Sequence, residues 1–378
     1  MTDATRPLYG ITVVEIGTSV AAPYGSWILG CLGARVIKVE SARGDDARQW
    51  GRLFSDGRSS FFEALNANKE SVVVDLRNTA ERDWLKAFCA ERADVVIQNM
   101  RPGKIAELGL DGVALQLENP RLIYFNLGAF GAQGPRAQEP GYDPLMQAAA
   151  GIMSVTGEPD RPPVRVGVSI VDMGSGMWGA IGVLAALYRR QATGQGCVLD
   201  GSLYETAVAW VANQAAMVQV DGKNPEKVGS GARGMAPYQA YECNDGHLVI
   251  SAPNDRLFEK LCEALEQPDL LEDARFDTNQ NRYANLAALN TILVPLIARQ
   301  SRDHWGALLN TAGVPCAKVC TITEMLDDPQ TKALGIMQSV EGGAADLVSL
   351  PISFDGARPA LRSTPPAIGA QTARLKGA

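Results

Sequence analysis

Short apolar runs alternate with amphipathic stretches through the N-terminal part of the chain. Ile11-Thr12-Val13-Val14-Glu15-Ile16 reads as a strand broken by Gly17. Pro23 suits a helix first turn, Tyr24 to Leu32 continues it, and Gly33 ends it. Arg35 to Val39 is the next strand. Ser71 to Leu76, Asp94 to Gln98 and Leu122 to Leu127 are further apolar runs, and Thr79 to Ala93 is an amphipathic helix between two of them. Strands alternating with helices predict right-handed crossovers and a mostly parallel sheet covered on both faces.

Two long helical patterns follow, Met173 to Gln191 and Gly201 to Val220, parted by a Thr193–Gly196 turn and a Cys197–Asp200 strand. Residues 221–236 are polar and glycine-rich and read as a linker. A smaller unit occupies roughly 237–323. It holds strands at His247–Ser251 and Val314–Cys320 and helices near Asp255–Leu265, Ala287–Arg299 and Asp303–Ala312. Pro295 is expected to kink the second of these helices. The tail from Pro351 lacks a regular pattern and is expected to wrap over other surface.

At 378 residues the chain can build two domains with full cores. A net charge of −7 argues against nucleic acid or an anionic membrane surface as the main partner. Met1 to Pro7 has no apolar signal core, and the Met173–Tyr188 run falls short of the ~20 residues that span a bilayer. A soluble, cytoplasmic protein is the expectation. Seven scattered cysteines without a Cys-x-x-Cys pair, and only two histidines (His247 and His304), predict reduced thiols and no metal site.

Candidate chemistry centres on Val166-Gly167-Val168-Ser169-Ile170-Val171-Asp172-Met173-Gly174-Ser175-Gly176. Asp is a favoured helix N-cap, which is the ordinary reading of Asp172. The same position stabilises an ionised carboxylate, the nucleophilic form, and Gly174 and Gly176 leave room for a ligand to approach. Tyr142-Asp143 opens another helical run, to Ala150. Arg101-Pro102-Gly103-Lys104 is a basic turn after a strand, either solvated or anion-binding. Gly229-Ser230-Gly231-Ala232-Arg233-Gly234 matches G-x-G-x-x-G, but a polar linker precedes it and Pro237 follows, so a flexible loop is the better reading than a dinucleotide fingerprint. Ile11 to Glu40 forms a better β-α-β unit, yet without the close-set glycines of that fingerprint.

Taken in order, these segments resemble the class III CoA-transferase family over nearly the whole chain. The resemblance rests on Leu32-Gly33-Ala34-Arg35-Val36-Ile37-Lys38-Val39-Glu40, Gly44-Asp45 with Arg48, Asn66-Ala67-Asn68-Lys69, Asp75-Leu76 and Asn99 with Arg101-Pro102-Gly103. It continues through Gly141-Tyr142-Asp143, Asp172, Thr193-Gly194-Gln195-Gly196, Ala236-Pro237-Tyr238, Asp245-Gly246, Ala312-Gly313-Val314-Pro315-Cys316 and Asp328-Pro329-Gln330.

The resemblance implies an α/β fold: a Rossmann-like large domain with a parallel sheet plus a smaller α+β domain, in an interlocked homodimer. Residues 1–220 would begin the large domain, 221–236 link, 237–323 form the small domain, and 324–378 return to the large one. It implies CoA transfer from an acyl-CoA donor, such as succinyl-CoA, to a small carboxylic acid, with Asp172 as nucleophile and no permanently bound cofactor or metal. CoA or acyl-CoA would be substrate, contacted by Val20, Ala21, Val74, Asp75, Leu76, Arg77, Asn99, Met100, Arg101, Lys104, Tyr142 and Asp143. Arg48, Arg165, Gly229, Gly231 and Arg233 are candidates for the acceptor carboxylate. Racemase relatives carry a histidine where Tyr142 stands here, and a tyrosine titrates too high to replace it, so an α-methylacyl-CoA racemase is the lesser alternative. A non-catalytic acyl-CoA-binding homologue is another.

Overall fold

The computed structural model describes residues 6–377. They form two compact units. One runs to Ile152 and resumes over Arg165–Ala216 and from Pro329; the other holds Met153–Val164 and Met217–Asp328.

The first unit is built on six parallel strands: β1 (Thr12–Ile16), β2 (Arg35–Glu40), β3 (Lys69–Val73), β4 (Val95–Gln98), β5 (Ile123–Gly128) and β6 (Cys197–Ser202), in the order β3-β2-β1-β4-β5-β6. Val14 pairs with Ile37 on one side and Val96 on the other. Successive side chains on a strand point to opposite faces, so each strand feeds two cores. Val13, Val36, Val95 and Phe125 pack under the helices Ala21–Cys31 and Ile170–Thr193. Val14, Ile37, Val96 and Tyr124 pack under Thr79–Arg92 and Gly112–Glu118 through Leu85, Phe88 and Leu115. This is the alternating pattern that the apolar runs predicted.

Four boundaries differ from the sequence reading, each for a physical reason. β3 starts earlier, at Lys69, because that lysine is buried against Glu15 (2.8 Å), which Lys38 also pairs (2.6 Å). Asp75 and Arg77 pair with each other beyond the strand end. The long helix starts at Ile170, so Asp172 lies inside its first turn and is not its cap. At 24 residues it is also long and apolar enough, by length and composition, to cross a membrane, contrary to the shorter run read from the sequence. One face of it packs against the first helix and the sheet. The Gly201–Val220 pattern divides: β6 extends to Ser202, whose hydroxyl caps the helix Leu203–Trp210, and a further helix covers Ala212–Asp221.

The tail runs along β3. Gln371 Oε1 accepts the Ser71 N–H (2.6 Å) and Thr372 Oγ1 accepts the Val73 N–H (3.0 Å), satisfying an edge strand that would otherwise expose its donors.

The second unit has three antiparallel strands, β7 (Tyr238–Cys243), β8 (Gly246–Ser251) and β9 (Cys316–Lys318), ordered β7-β8-β9. The sequence reading missed β7. Tyr241, Leu248 and Ile250 pack with Phe258, Leu289, Leu293 and Trp305. Pro295 sits within the helix Leu286–Ile297 without ending it. Arg282 is fully buried, donating to the carbonyls of Ala236 and Phe276 and to Asp255 (2.7 Å).

Candidate active site

The C-terminal ends of β1, β4 and β5 open into a cleft of about 200 Å³. Anionic ligands favour this edge of a parallel sheet, where helix N-termini converge. The cleft is lined by Val20, Ala21, Asn99, Met100, Arg101, Tyr142 and Asp172, seven of the residues singled out above. A neighbouring cleft of about 700 Å³ contains Val74, Asp75, Leu76 and Arg77, and Thr18 and Met100 line both. The two groups of sequence candidates thus occupy adjoining hollows.

Each wall has a local cause. After β1, Thr18 is clamped by Asn99, whose Oδ1 accepts its N–H (3.1 Å) and whose Nδ2 donates to its carbonyl (3.0 Å). Ser19 follows at φ 73°, a left-handed conformation unusual for a side-chain-bearing residue, and its N–H is held by Asp45 (3.0 Å). Asp45 is in turn paired with the fully buried Lys38 (2.7 Å). These bonds aim Val20 and Ala21 at the cleft. Asn99 therefore acts through the backbone of Thr18, with both ends of its amide engaged.

Asp172 is half-buried, on the first turn of its helix. Its carboxyl is pushed up to about 7, first by burial and then by the nearby Asp143 carboxylate. This differs from the expectation that the helix N-terminus would favour its ionised form. Burial is the main reason, and the N–H groups of Val171 (2.7 Å) and Asp172 (3.2 Å) donate to Asp143.

The candidates differ in their surroundings. Asp143 is buried and does not line the cleft, unlike its exposed neighbour Tyr142. Arg101 is exposed, and its side chain makes no hydrogen bond or ion pair among the described residues. Lys104 is exposed and paired with Glu107 (2.8 Å), and it lines neither cleft. Arg77 is paired with Asp75 at the mouth of the larger cleft. Arg48 grips Glu40 through two hydrogen bonds (2.9 and 2.7 Å), donates to the Pro366 carbonyl and lies over the Phe62 ring, away from the Asp172 cleft. Arg165 is exposed ahead of the Asp172 helix, near the carbonyls of Val166 and Gly167. Gly229, Gly231 and Arg233 belong to the second unit. There a Cβ on Gly229 would strike the Glu158 carboxylate at 2.5 Å, and Arg233 donates to the Glu226 carbonyl.

Sequence reasoning missed Thr18, Ser19, Glu139 and Leu203 in the cleft wall. The available signal was position: Thr18 and Ser19 directly follow a strand that ends in glycine. Among the described residues, no group of three or more His, Cys, Asp or Glu side chains comes together as a metal site. The thiols of Cys31, Cys89 and Cys262 are pushed up to about 12, chiefly by burial.

Residues 8–372 match the sequence model of CoA-transferase family III. The chain is 35% identical to acetyl-CoA:oxalate CoA-transferase of Acetobacter aceti, over 93% of this chain and 90% of that protein. It is 37% identical to succinyl-CoA–D-citramalate CoA-transferase of Chloroflexus aurantiacus, over 86% of this chain and 81% of that one. Among solved structures, a CAIB/BAIF family protein from Brucella suis superposes with a TM-score of 0.90 at 37% identity, covering 98% of both chains.

Proposed function

The chain belongs to CoA-transferase family III, and from that premise we propose that Asp172 is its nucleophile in moving CoA from an acyl-CoA donor to a small carboxylic acid. The relatives named above are CoA-transferases, and the chain is an enzyme of that class. The observation that carries the assignment to Asp172 is its location: the carboxyl is half-buried in a cleft at the sheet's C-terminal edge, beside Val20, Ala21, Met100 and Tyr142.

The chemistry proposed is stepwise. An Asp172 carboxylate oxygen attacks the thioester carbonyl, the C–S bond breaks, and CoA leaves as thiolate from a mixed anhydride. Thiolate then attacks the aspartyl carbonyl of the anhydride, releasing the donor acid and leaving an aspartyl-CoA thioester. The acceptor carboxylate attacks that thioester, the C–S bond breaks and a second mixed anhydride forms; the released thiolate then attacks the acceptor's carbonyl, giving the new acyl-CoA and freeing the Asp172 carboxylate. One thioester replaces another, so the exchange is close to isoenergetic, and covalent capture divides one difficult step into easier ones. Val20, Ala21, Met100, Arg101 and Tyr142 would hold the thioester end, and the hollow of Val74 to Arg77 the distal part of CoA. Succinyl-CoA is the first donor to try, because succinyl-CoA enzymes stand among the relatives.

An interlocked homodimer and a cytoplasmic location belong to the same proposal. Exposed apolar side chains on the Asp172 helix, Trp178 (50%), Ile181 (51%) and Tyr188 (79%), support association. Light scattering coupled to size exclusion tests it, and a monomer at micromolar concentration would overturn it.

Intact-protein mass spectrometry after incubation with succinyl-CoA and hydroxylamine tests the nucleophile. A hydroxamate adduct mapped to Asp172, absent from Asp172→Ala, is expected. Absence of any adduct across a panel of acyl-CoA donors would refute covalent carboxylate catalysis.

A further inference from the structure

Asp143 is 3% exposed, and both its carboxylate oxygens are engaged. Oδ2 accepts the N–H groups of Val171 and Asp172 at 2.7 and 3.2 Å. Oδ1 accepts from Gln147 Nε2 at 2.5 Å. Gln147, itself fully buried, accepts the Val166 N–H through its own Oε1 at 2.8 Å. Three bonds thus tie the Asp143–Ala149 helix to the segment entering the Asp172 helix and to that helix's first turn, and the fourth, from Gln147 to Asp143, braces the two anchoring side chains within their own helix. The donors taken, the second and third of the helix, are those an N-cap side chain ordinarily satisfies. Ser169, at the cap position, makes no such bond. The cap comes instead from a residue 29 positions earlier.

We propose that Asp143 is a positioning residue for Asp172: it caps the helix in place of a local side chain, fixes the backbone of the nucleophile, and occupies the anionic seat at the helix N-terminus. The proposal rests on the reading of Asp172 as nucleophile. With that seat filled, the Asp172 side chain is left without those donors and beside a like charge. Burial raises its proton affinity most and the Asp143 charge raises it further, and a more basic carboxylate is a better nucleophile once ionised, as holds for thiolates. Asp172 is thereby kept reactive in place of being quenched by its own helix. Other titratable or charged groups around it are Arg101, Glu139 and Tyr142 in the cleft wall, Tyr24 on the first helix, Arg165 before its own helix, and Glu205 on the helix packed against it. Asp143 is the one whose charge acts on Asp172.

The test measures the rate of Asp172 capture by hydroxylamine with succinyl-CoA, from about pH 5 to about pH 9, in the full-length enzyme and its variants. In the wild type the rate should rise through an acid limb near pH 7. Asp143→Asn keeps an acceptor oxygen for the two N–H groups and removes the charge. Its limb should fall by about one pH unit or more, with the plateau lowered less than about tenfold. Asp143→Ala also removes the acceptor, so its limb should fall likewise and its plateau further. It carries the pH test if the Asn variant does not fold. Limbs that coincide with the wild type would overturn the positioning role. A wild-type enzyme that forms no adduct at Asp172 at any pH would overturn the nucleophile assignment itself, a separate result.

Discussion

Gly25 and Gly176 meet backbone to backbone where the first helix crosses the helix of Asp172. A Cβ on Gly25 would lie 2.8 Å from the Gly176 carbonyl oxygen, and one on Gly176 would lie 2.6 Å from the Ala21 carbonyl oxygen. This contact brings Val20 and Ala21 alongside the first turn that bears Asp172. Gly176→Ala should therefore destabilise the protein by about 1–3 kcal/mol, because neither helix can yield without moving the cleft wall. It should also lower kcat/KM. Thermal melts and steady-state kinetics check both, and an unchanged Tm would mean that the crossing tolerates a methyl group.

Asp172 sets a pH dependence of stability as well as of rate. Its folded value of about 7 lies above the ordinary 3.8, with burial the main cause. Between those values the folded protein keeps a proton that the unfolded chain has lost, so this group makes stability fall as pH rises through that window. Asp172→Asn removes the effect. The variant should melt about 2–4 °C above the wild type at pH 8, with the gap closing towards pH 4. A gap that widens on acidification would contradict the sign.

Glu15 behaves oppositely. Burial opposes its ionisation, but Lys38 and Lys69 outweigh burial and hold its carboxyl at about 2, below the ordinary 4.5. Its contribution to stability is fully present above pH 4.5 and is lost as pH falls towards 2. Glu15→Gln leaves two buried ammonium groups short of their counter-charge. It should cost about 3–5 kcal/mol by denaturant unfolding, with most of the difference gone in strong acid.

Arg101 and Arg48 should separate binding from scaffolding. Arg101→Ala should raise KM for acyl-CoA roughly tenfold, with a smaller effect at high salt, if its free guanidinium meets phosphate. Lys104→Ala, already paired on the surface, should change KM by less than about threefold. Arg48→Ala strands the buried Glu40 and should cost about 1–3 kcal/mol of stability while leaving KM for the acceptor acid unchanged. A selective rise in that KM would return Arg48 to the substrate.

Much of this architecture was legible along the chain because it depends on local periodicity. Alternating apolar runs and amphipathic segments predicted β1, β2, β4 and β5 and the parallel α/β layering. The resemblance to the family gave Val20, Ala21, Met100, Arg101, Tyr142 and Asp172 as site residues, and these six line one cleft. The order of motifs supplied the family. What stayed hidden depends on partners distant in sequence. Asp172 reads as a cap from its neighbours, but Asp143 does the capping across 29 positions. Arg48 looks like a free cation until Glu40 and Pro366 close around it, and Lys69 looks exposed until Glu15 is found beneath it. The hydrophobic pattern is written residue by residue, so it determines elements and faces. The state of a buried charge depends on which opposite charge or N–H group the fold brings within hydrogen-bond distance, and only the tertiary structure decides that.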